Sequence, residues 1–161
     1  PEKQAANAIF DLDTYRPVFE QDLREAVETV VISSPTLSRK RVENLVELLL
    51  PAQEQGLKAA VITWHPDMYR YGNDENRLLL LESLRTAGFE IQYAEETCQH
   101  FAVIDEKIVW YGSMNLLSRD DVEDNIMRLE SREVAEELLG ITAANACGGM
   151  TFNGEADDEN G

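Results

Sequence analysis

"CQHFAVIDEKIVWYGSMN", residues Cys98 to Asn115, is the stretch on which the reading of this chain turns. "HFAVI" and "KIVWYGS" are short β-branched and aromatic runs on either side of Asp105-Glu106, the pattern of a β-hairpin with a tight turn. Cys98 and His100 open the hairpin, and Gly112-Ser113-Met114-Asn115 ends it. Residues two apart in a strand point to one face, so Cys98 and His100 are predicted to share a pocket. Each residue also has a plainer reading. Cys98 suits a small buried filler, and Asp105 suits a turn without any chemistry.

N-terminal to the hairpin, the pattern alternates between helix and strand. Residues 1–12 show no period and read as a lead-in. From Asp13 a helical stripe of Val18, Phe19, Leu23, Ala26 and Val27 has acids on its other face. "TVVIS" (29–33) and "KAAVIT" (58–63) read as buried strands and "FEIQYA" (89–94) as a third. Between the first two, Ser38 is placed to cap a helix carrying Val42, Leu45, Val46 and Leu49 inward, with a kink or restart expected at Pro51 and an end at Gly56. Leu78 to Leu84 belongs to another helix, ended by Gly88. Such alternation predicts an α/β layer structure with parallel strands. After the hairpin, "NIMRLE" (125–130) reads as a strand and "SREVAEELLG" as a helix capped by Ser131 and stopped by Gly140. The domain is therefore expected over 13–140, and the small, acidic residues 141–161 are expected to form a disordered tail.

The 161 residues suit one domain, and 43% are hydrophobic, ordinary for a soluble globular chain. No run approaches the length of a membrane span, and no signal peptide is visible. Two cysteines far apart, Cys98 and Cys147, make no disulfide framework, which suggests a reducing cytoplasm. A start at Pro1 suggests a piece of a longer protein. With 14 basic residues against 31 acidic ones the net charge is −17, so a polyanion can be held only at a local basic patch.

The hairpin and its Gly-Ser-x-Asn ending resemble the phospholipase D superfamily. That family carries His-x-Lys, four residues, Asp, six residues, then Gly-Ser-x-Asn or Gly-Gly-x-Asn. Asp105 here is followed by six residues and then Gly112, Ser113 and Asn115. Counting back, His100 stands at the Lys position and Cys98 at that of the nucleophilic His. Taking His100 as the nucleophile instead would move the Asp position to Lys107 and shift Gly-Ser-x-Asn by two. The words "FAVIDEKIVWYGSMNLLS" and "IMRLESREVAEELL" are similar to phospholipase D-like domains appended to bacterial helicases and related ATPases. The resemblance implies an α/β fold, a phospholipase D-like half with a mixed β-sheet flanked by helices.

It also implies roles. In a complete motif the His attacks phosphorus, Lys and Asn neutralise the phosphate oxygens, and a His from a second copy protonates the leaving group. One copy implies a homodimer or pairing with another such domain. Cys98, His100, Asp105, Ser113 and Asn115 are thus the motif positions, without a cofactor. A thiolate is a poor nucleophile at phosphorus, and an ordinary imidazole, mostly neutral near pH 7, replaces a lysine charge badly. The site is expected to be impaired, with phosphate binding retained by His100, Ser113 and Asn115. Three functions follow: an accessory domain of a helicase-type protein that meets phosphate, nucleic acid or a protein partner; an active dimeric phosphodiesterase or nuclease; or an interaction module whose acidic surface binds a basic partner.

Two further clusters stand out. Arg39, Lys40 and Arg41 open the second helix, either as a phosphate-contacting patch or as a solvated basic turn. His65, beside Trp64 and near Tyr69, Arg70 and Tyr71, forms an aromatic and basic loop that could stack a base or simply pack. "ANACGGM" is similar to half a zinc-ribbon knuckle, but Ala144 replaces its first Cys and no later Cys or His follows, so no metal is expected.

Overall fold

The computed structural model describes residues 7–66, 74–94, 97–118 and 123–145. The strands are β1 (Ala8–Asp11), β2 (Thr29–Ser33), β3 (Lys58–Trp64), β4 (Glu90–Ala94), β5 (Phe101–Ile104), β6 (Ile108–Gly112) and β7 (Asn125–Glu130). The helices are α1 (Tyr15–Arg24), α2 (Arg39–Glu54), α3 (Asp74–Thr86) and α4 (Arg132–Asn145). The strands form one mixed seven-stranded sheet in the order β1-β7-β6-β5-β2-β3-β4. β2, β3 and β4 run parallel, and the remaining neighbours pair antiparallel. The change of style at the hairpin is thus a change from parallel to antiparallel pairing within a single sheet.

Strand alternation sorts the core into two layers. Val30 and Ile32 of β2 join Phe19 and Leu23 of α1, Leu45 and Leu49 of α2, and Leu80 and Leu84 of α3. Val31 points the other way, into a smaller cluster with Phe101, Val103 and Val109 under Ala135 and Leu138 of α4. Three helices therefore cover one face of the sheet, and α4 alone among the described helices covers the other.

Several elements differ from the sequence expectation. Residues 8–11 are not featureless: β1 pairs with β7 at the sheet edge, although Ile9 has no buried face to give the strand a period. α2 runs through Pro51 without restarting, because this residue lies in the last turn, where one lost hydrogen bond leaves the helix before it intact. Gly56, at φ 107, follows that helix as expected. α4 passes through Gly140 to Asn145; a Cβ there would meet open space, so nothing in this helix requires glycine's freedom. The capping residues hold as read: Arg41 N–H donates to Ser38 Oγ and Val134 N–H to Ser131 Oγ. No helix among the described residues is long and apolar enough to cross a membrane.

Candidate functional site

The β5–β6 hairpin delivers the motif residues to two opposite ends of the sheet. At its tip, Asp105 and Glu106 have φ of 55° and 54°, and Lys107 N–H donates to Ile104 O at 3.1 Å. This is the two-residue turn with both central residues left-handed that matches strand twist. The Asp105 carboxylate accepts N–H groups from Val27 (3.2 Å), Glu28 (2.7 Å) and Thr29 (3.1 Å) on the α1–β2 connection. His100 lies five residues back, roughly 16 Å away along an extended strand. Asp105 is therefore not brought together with the other motif residues; its contacts tie the hairpin tip to the start of β2.

At the open end, Cys98 and His100 precede β5 in irregular backbone, so strand alternation does not govern them. They part company. Cys98 packs against the α4-side cluster, with Sγ 3.5 Å from Ser33 Oγ and 3.8 Å from Ile62 O. The Nδ1 atom of His100 lies 3.1 Å from Met114 O, on the Gly-Ser-x-Asn loop. A cavity of about 20 Å³ around Cys98 is lined by Ser33, Ile62, Gln99, Ile141 and Thr142 among others, and His100, Ser113 and Asn115 do not line it. The shared pocket expected from spacing is thus replaced by a half-buried thiol beneath the end of α4. Burial pushes the Cys98 thiol pKa up, against the weaker opposing effects of Ser33 and the Arg77 guanidinium.

Gly112 is required by close approach. A Cβ there would collide with the Asn125 carbonyl oxygen and with Ile126 Cα across the β6–β7 pair. Ser113 is engaged by the same loop: its hydroxyl donates to Asp124 Oδ1 at 2.9 Å and accepts Asn125 N–H at 3.1 Å. Asn115 is half-buried, and its carbonyl accepts Ser118 N–H at 3.1 Å. His100, Ser113 and Asn115 thus gather at one end of the hairpin, with His100 and Ser113 engaged by backbone groups and Ser113 also by the Asp124 carboxylate.

The basic turn divides. Arg39 is exposed and pairs with Glu43 at 3.0 Å. Lys40 and Arg41 line an open groove with Arg16, Ser38 and Ser118, alternating with Glu20, Glu43 and Glu47. The α2 N-terminus reaches the motif through Ser38 N–H, which donates to Leu117 O at 2.7 Å, and through Ser34 Oγ, which accepts Leu117 N–H at 3.3 Å. His65 stacks edge-on against Tyr93, with ring centroids 4.8 Å apart. Tyr69, Arg70, Tyr71 and Cys147 lie outside the described residues. Ser33, the partner of Cys98, was missed in the sequence; its only signal was a polar residue ending an apolar strand. Among the described residues no group of three or more His, Cys, Asp or Glu is placed to hold a metal.

A family model described as "Cardiolipin synthase, PLD-like domain" matches residues 19–142. The chain belongs to the phospholipase D-like family. Its solved structural neighbours include Nuc of Salmonella typhimurium, a phospholipase D family member, at 12% identity and TM-score 0.65, covering 87% of this chain and 93% of Nuc. NucT from Helicobacter pylori matches at 14% identity and TM-score 0.62, over 89% of this chain and 98% of NucT. TrmBL2, an archaeal chromatin protein with a novel mode of DNA binding, matches at 14% and 0.59, over 91% of this chain and 55% of its own. At these identities the likeness is one of fold. No curated protein matches the chain in sequence. In this phospholipase D-like domain the hairpin that carries the motif is also the junction between the parallel and antiparallel parts of the sheet.

Proposed function

We propose that this phospholipase D-like domain is catalytically impaired and holds a phosphate group, as in a nucleic-acid backbone, without cleaving it. The half-buried Cys98 carries the reading. At the position where the family resemblance places the attacking histidine, the chain offers a thiol whose pKa burial raises, and the cavity around it excludes His100, Ser113 and Asn115. A protonated thiol is not a nucleophile. His100, Ser113 and Asn115, with Lys40 and Arg41 beyond Ser118, remain as the phosphate-facing set, while the exposed, paired Arg39 contributes little.

The wider context rests on the similarity of "FAVIDEKIVWYGSMNLLS" to domains appended to bacterial helicases. In that setting the domain is an accessory module of a nucleic-acid-processing chain, paired with a second phospholipase D-like copy in the same parent or as a homodimer. The DNA-binding chromatin protein TrmBL2 shares the fold, which favours nucleic acid over a lipid headgroup.

Turnover of bis(p-nitrophenyl) phosphate tests the reading. The wild-type chain is expected to give no rate above its Asn115→Ala variant, and Cys98→His combined with His100→Lys to create one. Wild-type turnover that both Cys98→Ala and Asn115→Ala abolish would establish an active enzyme instead. DNA binding at low salt, weakened by Lys40→Ala with Arg41→Ala, is expected; its absence would leave a protein-interaction module.

A further inference from the structure

Three consecutive residues at the end of β2 meet both arms of the motif and a buried cation. Ser33 Oγ donates to Gln99 O at 2.7 Å, between Cys98 and His100. Ser34 Oγ accepts Leu117 N–H at 3.3 Å, on the loop that carries Ser113 and Asn115. Pro35 O accepts from the Thr63 hydroxyl at 3.0 Å and from Arg77 Nη2 at 3.4 Å. The arm before β5 and the arm after β6 therefore hang on adjacent buried serines, and the residue that follows them is held from β3 and α3.

Arg77 is 5% exposed, on a helix whose other inward residues, Leu80, Leu81 and Leu84, are apolar. Its Nη2 also donates to Trp64 O and, at 3.0 Å, to Thr63 Oγ1, so one guanidinium joins the C-terminal end of β3 to the segment after β2. Taking a guanidinium out of water is costly, and a leucine would fill the same place without that cost. Packing alone therefore does not call for arginine here, whereas a planar donor that serves several carbonyl and hydroxyl oxygens at once does. Its charge also reaches the motif: burial raises the Cys98 thiol pKa, and Ser33 and the Arg77 guanidinium act against that rise.

We infer that Arg77 is a positioning residue of the motif, fixing Pro35 so that Ser33 and Ser34 keep the Cys98–His100 arm and the Ser113–Leu117 arm in mutual placement. For phosphate binding this role rests on the phosphate-holding reading; for the placement of the two arms it does not.

Heteronuclear NMR of the ligand-free full chain tests the placement, and its titration with inorganic phosphate tests the effect on binding. Arg77→Met keeps much of the side chain's length and loses its donors. It is expected to shift the amide resonances of Gln99, His100, Asn115 and Leu117 while those of β1 and β7 stay in place. It is also expected to weaken phosphate binding about fivefold or more at temperatures where the variant is fully folded, the scale of coupling carried by a hydrogen-bonded network. Arg77→Lys, which keeps the charge as a single-point donor, is expected to restore part of that affinity. Thr63→Val removes one donor to Pro35 without touching a charge and reads the same shifts if Arg77→Met does not fold. Shifts confined to α3 and β3, or an unchanged phosphate affinity in folded Arg77→Met, would overturn the inference. If the wild-type chain binds no phosphate, the phosphate-holding reading fails; shifts at both arms then still uphold the positioning role, and their absence refutes it.

Discussion

Asp105 occupies a left-handed turn position and places its carboxylate among three N–H donors 76 to 78 residues away in sequence. Aspartate suits both tasks, since its short side chain tolerates positive φ and its two oxygens accept several donors. Asp105→Ala is expected to lower unfolding free energy by about 2–3 kcal/mol, and Asp105→Asn by less, as read by urea denaturation. Cys98 provides a pH test. Its folded thiol pKa lies above the unfolded one, so the folded state binds more protons between the two values. The stability this contributes is complete below the ordinary thiol pKa and declines as pH rises through it. In a Cys147→Ser background, iodoacetamide is expected to alkylate Cys98 at pH 8 more slowly than it does the urea-unfolded chain, with the contrast lost under denaturation.

The hairpin is the element that the sequence displayed best. Its two apolar runs, its turn and its Gly-Ser-x-Asn ending are all local, and the strands form where the residues placed them. What local pattern could not show is why the glycine is there. Gly112 faces no special turn of its own; it makes room for the backbone of β7, which arrives from residues further along the chain. Gly112→Ala is expected to destabilise by roughly 1–3 kcal/mol or more, because backbone must move to admit the methyl group. A shift confined to the β6, β7 and Ser113 amide resonances in a heteronuclear NMR spectrum would locate the strain. The same limit explains Cys98 and His100: alternation holds only inside a paired strand, and both precede β5.

Across the whole molecule, a buried ion pair ties α1 to the antiparallel half. Arg128 Nε donates to Asp22 Oδ2 at 2.6 Å and its second terminal nitrogen to Asp22 Oδ1 at 2.9 Å, while Trp110 Nε1 also donates to Oδ2 at 2.9 Å. Asp22 and Arg128 are 6% and 3% exposed. Arg128 also meets Glu130 at 2.8 Å, so Asp22→Ala leaves the guanidinium a carboxylate, whereas Arg128→Met leaves the buried Asp22 carboxylate without its cation; the second is expected to cost about 3–5 kcal/mol and the first less. Asp22→Leu combined with Arg128→Met is expected to recover much of this in thermal unfolding, which tests whether the cost is desolvation rather than lost attraction. Nothing in either residue's neighbourhood along the chain announced the pair, since 106 positions separate them. By itself the sequence determined the α/β alternation, the strands from β2 through β7, the N-caps of α2 and α4 and the family, because periodicity, capping and motif spacing are short-range properties of the chain. The tertiary structure alone decided the recruitment of β1 to the sheet edge, the removal of Asp105 from the motif's other residues, the partial burial of Cys98 beneath α4 and the approach of Lys40 and Arg41 to the Asn115 loop. Those depend on which distant segments pack together, and burial, close approach and charge pairing act on the neighbours that packing supplies.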